Sequence, residues 1–519
     1  MCGRKLFGLG GSIVALILFL EACASQAAPP IQGLIFNEDC TNFFYHHPIS
    51  DGKAGEIIDR YVDMYAAAGV KTLLCNTNAQ RTNYRSRVWD AFWDGYDPCG
   101  PDDQPFLRAM LRERVSGYRK MLDNMWKVDQ QGIDYPARFI ARCRYRGISP
   151  WITLRMNDCH DMENVDHPIH GTFWKNNPQF RVQGISGHFS RCFDYAHPQV
   201  RDYFFSLIVE TLERYDIDGL ELDFMREPYL FSSGKQAEGG TLLTEWLRNV
   251  RKLTCEATKK RGHTIRLGVR VPSCPETAKA FGLDAIAWAQ EGLIDLVVPS
   301  PRWATIEFDM PLVRWRELLA GTEVSLAGGL EVSYRPCPAC RPRCVTPTEA
   351  AGAAANVLFQ GAEAVYLFNY MQDGPPHWPM PVYQATLSAM NSLEALAKMP
   401  RCVALTYRDI HPPNKKNQLP LPATGKVLSF SLPRGPAPCA SSNGTLLLAC
   451  AASQKASAPA PTVRIHGKPC PLLKEELREG VREISYSISP EVLRQDAFFR
   501  IQVFSNGEAL TVYRVEVSF

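Results

Sequence analysis

From Gly33 to Ala397, short apolar runs of strand character alternate with longer stretches in which apolar side chains recur at helical spacing. The strand-like runs are Gly33–Asp39, Val70–Asn76, Ser149–Asn157, Gly219–Met225, Thr264–Val271, Ile294–Ser300, Glu323–Glu331 and Ala364–Tyr370. The helical patterns are Glu56–Ala68, Pro136–Arg146, Val200–Tyr215, Leu242–Lys259, Thr277–Gln290, Leu312–Leu319, Thr348–Phe359 and Tyr383–Ala397. Eight strand–helix pairs in succession imply a parallel sheet, and its simplest closed form is a (β/α)8 TIM barrel, here over residues 31–398. Past Met399 the helical period disappears. Lys426–Leu432, Thr445–Ala451, Thr462–His466, Phe498–Phe504 and Leu510–Val517 then alternate between Pro, Gly and Asn, which predicts a small antiparallel β-sandwich over 400–519.

The barrel exceeds the usual ~250 residues, so insertions must hold the surplus. They fall at Ala79–Tyr135, Asp158–His197 and Val332–Pro347, each after the C-terminal end of a strand, where barrel active sites are built. Before the barrel, Arg4 and Lys5 precede an uncharged apolar stretch from Leu6 to Leu20. This is too short to span a bilayer and fits a signal peptide over residues 1–27, which predicts an exported protein, periplasmic, envelope-anchored or secreted. Leu20-Glu21-Ala22-Cys23 is similar to a lipoprotein box that would place a lipid anchor on Cys23, and cleavage after Ala24 or Ala27 is the alternative.

With 57 basic and 54 acidic side chains the formal charge is only +3, which gives no electrostatic basis for nucleic-acid binding. Of the 17 cysteines, three stand close together at Cys337, Cys340 and Cys344. A disulfide with one odd thiol, a metal site short of a fourth ligand, and free thiols are the open readings, the disulfide being the expected one. His46, His47, His160, His167 and His170 lie in loops without a metal-ligand spacing, and neither a metal nor a cofactor is expected.

The chemistry concentrates on the fourth strand. Side chains alternate along a strand, so Glu221 and Asp223 turn toward the barrel axis while Leu220, Leu222 and Phe224 pack outward. Buried carboxyls need cations or raised pKa values, and both conditions suit catalysis. Arg155 and Arg270, in phase on the neighbouring strands, are the candidate cations. Glu331 ends the seventh strand behind Gly328 and Gly329, whose small size is expected to leave room at the mouth. Two carboxyls across a mouth can split a glycosidic bond, one protonating the leaving oxygen and the other attacking or activating water. Asn37, Asn76, Asn157, Asp194 and Asn369 are further candidates to bind sugar hydroxyls, with Arg155 and Arg270.

The run Phe193-Asp194-Tyr195-Ala196-His197-Pro198-Gln199-Val200-Arg201, followed by a helix and Tyr215-Asp216-Ile217-Asp218-Gly219 through Asp223, resembles the signature of the glycosyl-hydrolase-like family ten proteins. The resemblance spans about residues 190–228. It implies a bacterial, often exported or lipid-anchored barrel that hydrolyses glycans, with Asp223 as the site carboxylate. Glu221 stands where that pattern has His, and Phe224 where it has a second Asp.

Residues and resemblance together predict a glycoside hydrolase acting on a poly- or oligosaccharide through Asp223, Glu331 and Glu221. The competing reading is a non-catalytic glycan-binding barrel of the cell envelope. A Schiff-base enzyme is disfavoured because none of the eight strand ends offers an inward Lys.

Overall fold

The computed structural model describes residues 30–519 apart from position 303 and the short stretches 411–417, 425–426, 439–441, 452–458 and 507–508. The segment read as a signal peptide lies outside the described residues. Eight parallel strands close into a barrel: β1 Gly33–Asn37, β2 Thr72–Asn76, β3 Ser149–Arg155, β4 Gly219–Asp223, β5 Arg266–Pro272, β6 Leu296–Ser300, β7 Ser325–Glu331 and β8 Ala364–Phe368. Each coincides with a strand expected from the sequence, to within a residue or two at its ends.

Side chains leave the strands alternately. Leu220, Leu222 and Phe224 of the β4 segment join the large outer core against the helices. Ile35, Leu74, Trp151, Leu296, Val298, Ala327, Ala364, Tyr366 and Phe368 form a separate core inside the barrel. Trp151 is its largest member and needs glycine on β4 and β5, the next two strands on one side. A Cβ on Gly219 would stand 2.2 Å from the indole, and one on Gly268 would stand 3.0 Å away. Gly219→Ala is therefore expected to destabilise the fold by about 3 kcal/mol, the upper end for an overpacked core. Urea denaturation checks this, and Trp151→Leu in the same chain should recover most of the loss.

The helices differ from the sequence reading in three places. The expected Thr277–Gln290 helix is two, Pro275–Ala280 and Ala285–Gln290, separated at Gly282 with φ +83°. No side chain fits there, because a Cβ would lie 2.8 Å from the Gln236 carbonyl oxygen. The expected Tyr383–Ala397 helix likewise divides into Met380–Ala389 and Leu393–Ala397, the second capped by Ser392. The insertion after β2 holds a helix that the sequence reading left out, Arg112–Gln130, which buries Val115, Tyr118, Met121, Leu122, Met125 and Val128 on one face.

The C-terminal region is a sandwich of a six-stranded and a four-stranded antiparallel sheet. It packs against the Pro347–Phe359 helix of the barrel, where Gly352 would place a Cβ 2.1 Å from the Cys402 carbonyl oxygen. Asn356 donates to the Pro433 carbonyl at 3.2 Å, and Arg408 pairs with Glu307 at 2.7 Å.

Candidate active site

Above the Trp151 plug the barrel interior turns polar in two steps. Asn37, Thr153, Glu221 and Tyr366 form the lower one. Glu221 Oε1 accepts from Thr153 Oγ1 at 2.7 Å, Tyr366 OH at 2.8 Å and Asn37 Nδ2 at 3.2 Å, while Oε2 has no partner. Burial, reinforced by the charge of Asp223, pushes the Glu221 carboxyl up to about 7.

The upper step carries Asp223, Arg270, Ser300, Phe368 and Glu331. Arg155, Asp223 and Arg270 are register partners across β3, β4 and β5. Arg270 grips Asp223 with two parallel bonds, Nε to Oδ1 and Nη2 to Oδ2, both 2.9 Å. Its Nη1 reaches Ser300 Oγ at 3.2 Å, and its guanidinium lies 3.9 Å from the Phe368 ring centroid. Asp223 Oδ1 also accepts from the Met225 and Arg226 backbone N–H groups at 2.9 and 3.0 Å. Thus Oδ1 takes three donors and Oδ2 only one.

Glu331 ends β7 beside Phe368. Its Oε1 accepts from the Val332 N–H at 3.0 Å, and its Oε2 is buried without a partner. Burial pushes this carboxyl up to about 7, against the opposing pull of Arg270, the Val332 N–H, Arg226 and Asn369. The space expected from the small residues beside it is filled. Gly328 faces the Val357 side chain on an outer helix, and Gly329 abuts Ser300, with Oγ 2.5 Å from the position of a Cβ.

The remaining candidates divide by what they touch. Arg155 does not support Asp223 as the strand phase had suggested; it pairs with Asp39 at 2.5 Å and with Asp158 at 3.5 Å. Asn76 ties the Cys40 N–H to the Thr153 carbonyl, and Asn157 bonds both backbone groups of Phe193. Asp194 accepts from Ala196 and Ser232. These three fix the loops around the mouth and have little capacity left for a ligand. Asn369 is half-buried with φ +63° and helps to lower the Glu331 carboxyl against the effect of burial.

At the mouth Asp158 is one of the polar strand ends that the sequence offers as a hydroxyl binder, while His160, Arg226, Glu227, Arg302 and His188 were absent from the expected site. Asp158 Oδ1 meets His160 Nδ1 at 2.7 Å, and His160 Nε2 meets Arg226 Nη2 at 2.6 Å. Glu227 is fully buried between Arg302 and His188, each at 3.0 Å. Arg226 and Glu227 directly follow the β4 motif, so the sequence placed them near the mouth.

Cys337, Cys340 and Cys344 are free thiols. In the cluster after β7, Cys337 and Cys340 bring their sulfurs to 3.5 Å, which singles out the two that oxidation would join. A second pair, Cys159 and Cys192 in the loop after β3, approaches to 3.0 Å in a small core of its own. Among the described residues, Glu349, Cys402 and Glu516 form a group with metal-type ligand atoms. Its carboxylates already bind Arg343 and Tyr334, and none of the three stands on a barrel strand.

No protein-family model and no curated protein matches the sequence. The chain is similar to α-L-fucosidase isoenzyme 2 from Paenibacillus thiaminolyticus, at 12% identity and TM-score 0.43 over 70% of this chain and 49% of that one. It thus spans about half the length of that enzyme. It is also similar to the PgaB (BpsB) glycoside hydrolase domain from Bordetella bronchiseptica, at 8% and 0.39 over 70% and 99%, and to the maltogenic α-amylase AmyB from Thermotoga neapolitana, at 10% and 0.38 over 91% and 98%. These neighbours are glycoside hydrolases, but none is similar enough to assign a reaction. The likeness to family ten rests on its motif residues alone, and many of those hold the scaffold: Arg201 binds the Ala196 carbonyl, Tyr215 binds Asp134, and Asp218 accepts from Ser149.

Proposed function

We propose that the protein is a glycoside hydrolase in which Glu331 is the proton donor and Asp223 the carboxylate that attacks the anomeric carbon or activates water. The observation that carries this reading is Glu331 itself. A carboxyl at the catalytic end of a barrel strand, with one oxygen uncommitted and a pKa near 7, holds at neutral pH the proton that a leaving glycosidic oxygen needs. Arg270 couples the two groups, binding Asp223 directly and acting electrostatically on Glu331. The environments of the pair differ in the manner acid and base assignments require. Asp223 would act through Oδ2, the oxygen with a single donor. Glu221 lies one step deeper and tunes the pair from below.

A poly- or oligosaccharide is the proposed substrate, and the N-terminal segment makes envelope and extracellular glycans the first to test. Incubating the purified protein with bacterial and algal polysaccharides and peptidoglycan should release reducing ends from at least one. Glu331→Gln should abolish that release.

A second reading is favoured by one observation. Asp223 is about 1% exposed and receives four donors, the state of a structural ion pair. A glycan-binding barrel without hydrolysis would retain glycan affinity in that panel and release no reducing ends.

A further inference from the structure

Beside the catalytic layer, on the β1 to β3 side of the mouth, lies a cavity of about 400 Å³. Four chain segments wall it: the turn and short Asn42–His46 helix after β1, the loop after β2 that carries Phe92 and Met110, the Arg112–Gln130 helix that follows it, and the loop after β3. Its volume lies in the range of small-molecule sites. Arg155 is the structural link to the catalytic carboxylate. It lines the cavity while pairing in register with Asp223.

The lining has two characters. Met110 and Ile169 present an apolar surface, backed by the fully buried Phe92 and Met121. Opposite in character are the buried Arg155–Asp39 pair, His160, Asp161 and the hydroxyl of Tyr118. Tyr118 is 6% exposed and its hydroxyl has no hydrogen-bond partner. Tyr118 lines the cavity together with Tyr45, Asp161 and Cys40. An unmade bond at a buried hydroxyl is destabilising, and a ligand acceptor or donor would recover it.

Charge narrows the ligand further. Arg155 is paired with Asp39 and Arg114 with Asp161, Glu113 adds a further acidic group, and burial lowers His167 to about 4, leaving it neutral. The lining therefore offers no surplus positive charge to an acidic sugar.

We propose that this cavity recognises one neutral sugar unit carrying a methyl-terminated substituent. The ring hydroxyls would meet Tyr118, His160 and the Arg155–Asp39 pair, and the methyl would rest on Met110 and Ile169. The sugar class rests on the hydrolase reading above. The preference for an apolar substituent rests on the lining alone. Two chemistries supply such a methyl, an N-acetyl group and the C-methyl of a 6-deoxyhexose.

Isothermal titration of the full-length protein with methyl glycosides of N-acetylglucosamine, fucose, glucose and glucuronic acid tests it. At least one of the first two should bind at least tenfold more tightly than glucose, their order reporting which substituent is read, and glucuronic acid should bind no more tightly than glucose. Tyr118→Phe removes one oxygen from a buried ring and should weaken binding at least fivefold with its melting temperature retained. Met110→Gln, at a half-buried position, should erase the preference over glucose. No binding of any sugar, equal affinity for glucose, or unchanged affinity in both variants would overturn the proposal. Hydrolysis in the polysaccharide panel without binding here would sink the pocket and leave the hydrolase reading intact, and binding here without hydrolysis would do the reverse.

Discussion

Asp223→Asn should remove hydrolysis and at the same time destabilise the barrel by about 3–5 kcal/mol, the usual consequence of stripping one partner from a buried ion pair. The shape of the side chain survives, and its oxygen can still accept from the Met225 and Arg226 N–H groups. What disappears is the charge that compensates Arg270, itself 1% exposed and held against Phe368 and Ser300. The two parallel bonds from Arg270 are what make the substitution costly. Lost activity in the single variant is therefore ambiguous, and a second variant resolves it. Asp223→Leu combined with Arg270→Met removes both charges and should return most of the stability, since apolar replacement of a whole buried pair is often neutral. Urea denaturation and reducing-end release, measured on both variants, separate the two roles. Recovered stability with no hydrolysis assigns Asp223 to the reaction. Turnover in Asp223→Asn above about a tenth of wild type would leave less than ~1.4 kcal/mol of barrier to the charge, and the assignment would be wrong.

Much of this architecture was legible because periodicity is a local signal. The eight barrel strands are short and buried on both faces, bounded by turns, and the inward phases of Glu221, Asp223 and Arg270 follow directly from alternation. The Arg112–Gln130 helix carried the same kind of signal in Val115, Tyr118, Met121, Met125 and Val128, and was lost inside a stretch read as one insertion. Strand Leu472–Arg478 could not be found this way, because its side chains are mostly exposed on both faces and follow no apolar alternation. The site was less legible than the fold. Composition marks a polar strand end, but not whether its side chain faces a ligand or a neighbouring loop. Asn76, Asn157 and Asp194 look alike in sequence to Asn369, yet three of them close backbone gaps around the mouth. Arg155 shows the limit most clearly. Its strand phase was right, but the carboxylates that capture it, Asp39 and Asp158, come from loops whose paths no pattern encodes.

Glu331→Gln should lower kcat by about 10²–10⁴ while changing stability at pH 5 by no more than about 1 kcal/mol, because Gln is nearly the shape of a protonated Glu and the folded wild-type carboxyl is protonated there. The two proteins should then diverge with pH. Burial raises the folded-state pKa of Glu331 from the usual 4.5 to about 7. A raised carboxyl pKa means that the folded state binds the proton more tightly than the unfolded chain. The resulting stability is fully present below about pH 4.5 and is lost as pH rises through 7. By pH 8.5 the wild type should have forfeited about 3 kcal/mol at this residue, and Gln, which does not ionise, should keep it. Glu221, also held near 7, contributes a similar slope that both proteins retain. Chemical denaturation at pH 5, 7 and 8.5 reads the difference directly, and equal slopes in the two proteins would mean that Glu331 is not the raised carboxyl. The kinetic counterpart is the alkaline limb of the rate profile. A general acid must be protonated, so wild-type turnover should fall above about pH 7 and the residual activity of Glu331→Gln should not. An aryl glycoside of the active sugar, whose leaving group needs no proton, should lose far less in the variant than the natural glycan does. If glycan and aryl glycoside are slowed equally, Glu331 is not the proton donor.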